Sequence, residues 1–414
     1  MSGNLKLNTP SAGSVTLSTA DTASNVTVTI PAATDTATLN AQTQTLTNKT
    51  LVASGSNSVE ATAGPTATQL AGNRNKIING AMMIDQRNAG ASVTQTATFL
   101  YSVDRFGISG SVTSKFTAQQ STTAPVGFTN SLLCTSSSAY SVGSSDSFSI
   151  QQRIEGLNCS DLAWGTANAA SITLSFWVRS SLTGTFGGSL RNSAADRSYP
   201  FTFVINAANT WEQKTVTIAG DTSGTWLTST GIGIIVSFSL GAGSTLSGSS
   251  GSWSANNYVS ATGATSVVGT NGATFYITGV QLEKGATATP FENRLYGTEL
   301  ALAQRYFVKF GGTSAYEHIG VLGTAYSTIS VTQGIQLPVI MRAAPSISAA
   351  TLLVSDGVTN TACTSFGLAS GGAETSPLVV GGTFTTAGGL TQYRPYQVYA
   401  NNSTSAYYNI SAEL

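Results

Sequence analysis

Apolar residues recur at every second position through most of this chain, in short runs such as "SITLSFWVRS", "YPFTFVINA", "WEQKTVTIAG" and "GIGIIVSFSL". A period of two puts the apolar side chains on one face of an extended strand and the polar ones on the other, and it does not fit the 3.6-residue period of a helix. Gly, Asn, Asp and Ser close each run, as turn residues do between antiparallel strands. From residue 76 to residue 293 the pattern is that of a β-sandwich, two sheets packed face to face. "NKIINGAMMIDQRN" opens this region with a compact cluster of Ile77, Ile78, Met82, Met83 and Ile84.

One segment breaks the alternation. In "ENRLYGTELALAQRYF" (292–307) Leu300, Ala303 and Phe307 share a helical face, with Tyr296 a turn earlier and Glu299, Gln304 and Arg305 opposite. It reads as a short linker helix over 294–307. Strand texture then returns in "LPVIMRAAP" and "YYNISAEL", which predicts a second, C-terminal β-sandwich over 308–414.

The N-terminal part is different. Residues 1–42 hold strands with two narrow apolar stripes, Val15 and Leu17, then Val26, Val28 and Ile30. Residues 43–75 start with "TQTLTNKTL" and continue in Gly, Ser, Ala and Thr, with no aromatic side chain from 43 to 69. Such a stretch has too little apolar surface to bury on its own. It is either a flexible linker or a shaft in which three copies intertwine around a seam of Leu46 and Leu51.

Composition narrows the partners. Only 9% of the 414 residues are charged, against about 25% in an ordinary soluble domain. Eighteen Lys and Arg balance eighteen Asp and Glu, so no net field steers the surface toward nucleic acid or an anionic membrane. Ser, Thr, Asn and 43 Gly make a surface that two chains can share without desolvating ions. No apolar run approaches the roughly 18 residues of a membrane-crossing helix, so no membrane insertion is expected. "MSGNLKLNTP" lacks the basic and apolar regions of an export signal. Cys134, Cys159 and Cys363 fit no zinc spacing and read as free thiols. With a single histidine, His318, no metal or other cofactor is expected.

Several segments, taken in order, resemble bacteriophage tail-fibre and receptor-binding proteins. "TQTLTNKTL" looks like a Thr/Asn shaft motif of such fibres. "NKIINGAMMIDQRNAGAS…YSVDRF", "NTWEQKTVTIAGDTSGTW" and "ITGVQLEKGATATPFENR" resemble parts of a jelly-roll module, similar to carbohydrate-binding modules. "ELALAQRYF" with "LPVIMRAAP" and "ANNSTSAYYNISAEL" is similar to the helix and final β domain that follow it. The resemblance implies an all-β homotrimeric fibre of a virion, assembled in the host cytoplasm. It implies attachment to a tail or capsid protein by the N-terminus, and presentation of β modules to a host-surface glycan. A non-receptor structural or capsid-decoration fibre is the alternative it leaves; a secreted adhesin is disfavoured by the missing export signal.

The residues allow a sugar-binding site more readily than an enzymatic one. Glycosidases need paired carboxylates. Asp104 reads as a local ion pair with Arg105, and Asp221 as a turn residue bonded to backbone N–H groups, so no enzyme is expected. Sugar rings stack on aromatic faces while Asn, Asp, Arg and Gln meet their hydroxyls. Trp226, Trp253 and Tyr258 lie in loop text, either as glycan contacts or as caps on the sandwich end. Tyr393 and Tyr396, near Tyr399, Asn401 and Asn402, form a second candidate toward the distal tip. Trp177 and Trp211, in strands, are expected in the core.

Overall fold

The computed structural model describes residues 5–8, 14–17, 73–320, 322–372 and 375–414. Strands β1 (Leu5–Asn8) and β2 (Ser14–Leu17) pair antiparallel, with Leu5 opposite Leu17. This hairpin belongs to one compact unit, Met1–Thr62, and the rest of the described chain to a second, Ala63–Leu414. The shaft expected over 43–75 lies, as far as residue 72, outside the described residues.

In the second unit the alternating runs form two six-stranded sheets. In chain order the strands are β3 (Val93–Thr94), β4 (Leu100–Val103), β5 (Phe106–Gly110), β6 (Phe116–Ser121), β7 (Ser131–Ser136) and β8 (Ser147–Glu155). They continue with β9 (Ile172–Ser180), β10 (Gly184–Arg191), β11 (Ser198–Ile205), β12 (Glu212–Ile218) and β13 (Ile232–Ala242). A short parallel pair, β14 (Ser247–Gly248) and β15 (Ser260–Ala261), precedes β16 (Thr274–Lys284). The first sheet runs β11-β10-β13-β8-β5-β4 and the second β12-β9-β16-β7-β6-β3. The strand order crosses repeatedly between sheets, as in a jelly roll.

Side-chain parity explains why the sheets stack. On β9, Ile172, Leu174, Phe176 and Val178 are fully buried; on β13, Ile234, Val236, Phe238 and Leu240 do the same from the facing sheet. Phe176 meets Phe203 and Phe238 edge-on, at 5.0 Å each, across the interior. Cys134 and Cys159 are buried here as free thiols, and burial pushes both well above the ordinary thiol range.

The linker helix α1 (Tyr296–Gln304) is shorter than expected. Its Ala303 and Leu300 pack with Ile78, Ile84 and Tyr306, so the cluster in "NKIINGAMMIDQRN" is the helix's counterpart. Tyr296, expected on that face, is 56% exposed: it occupies the first turn, before the helix reaches the core. No described helix is long and apolar enough to cross a membrane.

The C-terminal region is not a second sandwich. Strands β18 (Gly323–Ala325), β19 (Ser330–Gln336), β21 (Leu352–Ser355), β22 (Asn360–Leu368), β23 (Val379–Thr386) and β24 (Pro395–Ala400) close into a six-stranded barrel. Pairing of β18 with β24 seals it and leaves no free edge within the ring. Strands β17 (Phe307–Phe310), β25 (Tyr407–Ser411) and β20 (Ser346–Ala350) form a separate three-stranded sheet. Val331, Val354, Val380, Phe384 and Val398 fill the barrel, and Tyr408 of the small sheet packs on Phe384 at 5.5 Å. The chain's last residues bind back on the sandwich: Glu413 pairs with Arg105 and, at 2.8 Å, with Arg87.

Candidate functional site

Three of the loop aromatics expected as contacts lie near one end of the sandwich, but in two different roles. Trp226 and Trp253 join Trp164 and Tyr199 in one edge-on cluster. The ring centroids are 4.7 Å apart for Trp164–Trp226, 5.3 Å for Trp164–Trp253, 5.4 Å for Trp226–Trp253 and 5.2 Å for Tyr199–Trp253. Each indole N–H donates to a backbone carbonyl: Trp164 to Ala170, Trp226 to Ser223 and Trp253 to Ala219. Arg197 holds the preceding loop by donating to both oxygens of Asp221, at 2.7 and 2.6 Å. The recess beside Trp164, Trp226 and Ile234 is too small for a sugar ring. In this cluster Trp164 is buried, and Trp226 and Trp253 are half-buried.

Tyr258 belongs to a different feature, the outer face of the first sheet. Parity turns Ser149, Gln151 and Arg153 of β8, Ile235, Ser237 and Ser239 of β13, and Ser189 and Arg191 of β10 outward. Register sets them in rows: Ser189, Ser237, Gln151 and Gly107 stand opposite one another across four strands. Arg191, Ile235 and Arg153 make the next row, and Ser239, Ser149 and Ser109 another. These rows are small and polar but largely covered: Ser149, Ser189, Ser237 and Ser239 are buried, and bulkier side chains flank them on both sides.

Both rims are built on glycines. Phe99 lies on Gly107, where a Cβ would fall 2.1 Å from its ring. Arg153 stacks 3.9 Å above Phe99, and Tyr101 meets it edge-on at 5.1 Å. On the other side the segment carrying β14 and β15 crosses β10. Tyr258 lies on Gly248, where a Cβ would fall 2.2 Å from the ring, and Asn257 Oδ1 accepts from Arg191 Nη1 at 2.7 Å.

This covered face is polar and incompletely bonded. Gln151 Nε2 donates to Ser149 Oγ at 2.9 Å, and Ser109 and Ser149 share a hydroxyl contact of 3.1 Å. The hydroxyls of Ser189 and Ser237 and the Nε groups of Arg153 and Arg191 are buried without a hydrogen-bond partner. An unsatisfied buried polar group costs about 1–3 kcal/mol, and native chains keep few of them. Others lie elsewhere in the fold, among them Arg105 Nε, Arg294 Nε and the Tyr408 hydroxyl, so these four do not by themselves mark a site. Burial, and then the nearby Arg153, bring the Arg191 guanidinium down to about 10, still a cation at neutral pH.

The second sheet carries two of the aromatics expected in the core. Trp177 and Trp211 are half-buried on its outer face, Trp211 edge-on to Tyr276 at 6.0 Å, with Arg179 4.8 Å over Tyr276. Trp177 follows Phe176, an inward residue, so parity turns it outward.

On the barrel the tyrosines separate. Tyr393 is 77% exposed, whereas Tyr396 is 2% exposed in the core, its hydroxyl accepting from the Thr391 N–H at 3.0 Å. Tyr396 therefore has no face to offer a ligand. Tyr399 packs against His318 at 4.1 Å.

The carboxylates have structural partners. Asp104 pairs with Arg87 at 3.4 Å and accepts from Gln86, while its neighbour Arg105 turns instead to Glu413; the local pair expected from the sequence is absent. Asp221 accepts from the Ser223 N–H at 3.1 Å as well as from Arg197. Among the described residues no group of three His, Cys, Asp or Glu is placed to hold a metal.

No protein-family profile and no curated protein sequence matches the chain. Solved structures do. The enzymatically active domain of tailspike protein 4 of bacteriophage CBA120 matches at 13% identity and a TM-score of 0.30, over 51% of this chain and 22% of that one. A family 11 carbohydrate-binding module of Clostridium thermocellum, in complex with a mixed-linked tetrasaccharide, matches at 8% and 0.26, over 48% and 98%. An arabinose-bound α-L-arabinofuranosidase matches at 12% and 0.26, over 57% and 31%. The chain thus spans about a fifth of the tailspike domain it matches. At such scores none of the three bears on what this chain binds.

The sequence analysis named Tyr258 but not the serine rows of the sheet beside it. Their signal was serine at outward positions of otherwise apolar strands, in "FSIQQRI" and "IVSFSL", with an arginine ending "GGSLR".

Proposed function

We propose that the chain is the subunit of a bacteriophage attachment fibre, and that its jelly roll binds host-surface polysaccharide on the outer face of the first sheet. One observation carries the sugar-binding part: half-buried rings, Tyr258 on one side and Phe99 with Tyr101 on the other, flank a polar sheet face on which Arg153 is also half-buried. A sugar ring offers an apolar face to such aromatic side chains and hydroxyls to a guanidinium such as that of Arg153.

The fibre part rests on the order of the shaft, jelly-roll, helix and C-terminal motifs. In this reading three chains intertwine over residues 43–75, the N-terminus grips a tail or capsid protein, and the barrel points outward. The subunit binds and does not cut: Asp104 and Asp221 serve the fold.

The test is adsorption of the purified full chain to a panel of bacterial strains before and after periodate oxidation of their surface glycans. Binding to some strains that oxidation removes is the expected result; uniform failure to bind, or binding indifferent to oxidation, overturns the reading. Light scattering checks the assembly, with three times the 42.3 kDa chain mass expected and a monomer ruling the trimer out. A purely structural fibre is the second reading. It is favoured by the Trp164–Trp226–Trp253 cluster, whose indole N–H groups are all engaged internally.

A further inference from the structure

We propose that Ala412–Leu414 is a strap across one side of the polysaccharide face, and that strap docking and ligand binding oppose each other there. The inference rests on the polysaccharide-binding reading and adds a control to that same face.

Strand β25 ends at Ser411. Beyond it the one backbone–backbone bond among the described residues runs from the Ala412 N–H to the Tyr306 carbonyl, at 2.8 Å. Arginines supply most of the remaining hold. Arg342 donates to the Ala412 oxygen at 2.8 Å and to the Glu413 oxygen at 2.7 Å, and ties both to the sandwich by donating to the Thr230 oxygen at 2.9 Å. The Glu413 carboxylate pairs with Arg105 and, at 2.8 Å, with Arg87. The Leu414 side chain packs on the cluster of Ile78, Ile84, Ala303 and Tyr306. A segment held by side chains in this way can leave without opening a strand ladder.

The Leu414 backbone oxygen reaches the ligand face. It accepts from Arg153 Nη1 at 2.6 Å and from the Tyr101 hydroxyl at 3.4 Å. Arg153 and Tyr101 are both half-buried, and both border Phe99: the guanidinium stacks 3.9 Å above that ring and the tyrosine meets it edge-on. The donors that a sugar would use beside Phe99 are thus turned to the strap. A sugar hydroxyl that takes Nη1 or the tyrosine hydroxyl competes with the Leu414 oxygen for it. The two equilibria are then linked. The factor by which the docked strap lowers ligand affinity is the factor by which ligand lowers strap docking. Without ligand the docked state is favoured, because release leaves the buried Arg105 without its carboxylate.

The test compares the full unmodified chain with Arg342→Ala and Glu413→Gln on the same strain panel. Hydrogen exchange over residues 407–414 is read alongside, with and without surface polysaccharide extracted from an adsorbing strain. Both variants are expected to exchange faster over 407–414 and to adsorb severalfold more tightly, and the polysaccharide to speed exchange there in the unmodified chain. A variant that adsorbs where the unmodified chain does not gives the same support. Faster exchange with unchanged adsorption overturns the coupling and leaves polysaccharide binding standing. Faster exchange with weaker adsorption also overturns it, and makes the strap part of the binding surface. Adsorption of no strain by any of the three proteins removes the broader reading and the strap with it. Should Glu413→Gln fail to fold, Arg342→Ala stands alone, since it strands no buried carboxylate. If neither variant loosens the strap, the unmodified chain decides: polysaccharide that binds and leaves exchange over 407–414 unchanged overturns the inference.

Discussion

Arg305 donates to both carboxylate oxygens of Glu155, at 3.0 and 2.7 Å, and so joins the end of the helix to the end of β8 across 150 residues of sequence. Tyr306 donates to the same carboxylate at 2.7 Å, and Glu155 is fully buried. Removing one partner of a buried pair strands the other. Arg305→Ala is therefore expected to lower unfolding free energy by about 3 kcal/mol or more, and Glu155→Gln by less, because the neutral amide needs no counter-charge. Denaturant titration of the two single variants and the double variant measures the coupling. Additive losses would mean that the pair does not hold the joint.

Asp104 sits in the same joint, 1% exposed. Burial raises its carboxyl to about 6, against the lowering effects of Arg87 and Gln86. The folded state thus binds this proton more tightly than the unfolded chain, whose Asp titrates near 3.9. The stability that protonated Asp104 contributes is fully present below about pH 4 and lost as pH rises through about 6. Between pH 7.5 and 5, Tm should climb in the unmodified protein, and Asp104→Asn should flatten that step. Asp85, also raised by burial, adds in the same direction. Calorimetry over this window decides, and an unchanged step in the variant would assign it elsewhere.

Parity was the readable part of the fold. The alternation that buries Phe176 and Phe238 is written in "SFWVRS" and "VSFSL", and it also turns Trp177 outward, although the size of that side chain suggests core. Closure of the barrel was not readable, because it depends on Gly323 meeting Tyr396 through pairing that no local pattern encodes. The serine rows of the first sheet were hidden for the same reason. Ser189, Ser237 and Gln151 each look like ordinary outward residues, and only cross-strand register makes them one row. Asp104 misled because proximity in sequence suggested Arg105, while backbone geometry sends Arg105, at φ +68°, toward Glu413.

Trp253 tests whether the aromatic end is a cap or a contact. Its ring meets Trp164, Trp226 and Tyr199, and its N–H meets the Ala219 carbonyl at 2.8 Å. Trp253→Ala removes all four interactions and should cost about 2–4 kcal/mol. Trp253→Phe keeps a ring and loses the hydrogen bond, at about 1 kcal/mol. If the cluster only caps the sandwich, Trp253→Phe adsorbs to cells as the unmodified chain does. Loss of adsorption in a variant with near-normal Tm would make Trp253 part of the binding surface.

The barrel tyrosines give the sharpest contrast in one segment. Tyr396 is buried with its hydroxyl bonded to the Thr391 N–H, so Tyr396→Ala opens a cavity and should cost about 3–5 kcal/mol, by analogy with other buried aromatics. Tyr393, three positions earlier, is exposed and holds φ +68°, a left-handed conformation that costs an L-residue roughly 1–2 kcal/mol relative to glycine. Tyr393→Gly should therefore leave stability unchanged or raise it by up to about 1 kcal/mol, since the gain is partly offset by the entropy that glycine adds to the unfolded chain. A strained, exposed tyrosine kept at a turn has no role in the barrel's own packing. If Tyr393 touches the receptor, the glycine variant is more stable and adsorbs less. A glycine variant that is less stable would instead place the Tyr393 ring in a packing contact with another copy of the chain, visible as a loss of assembled mass in light scattering.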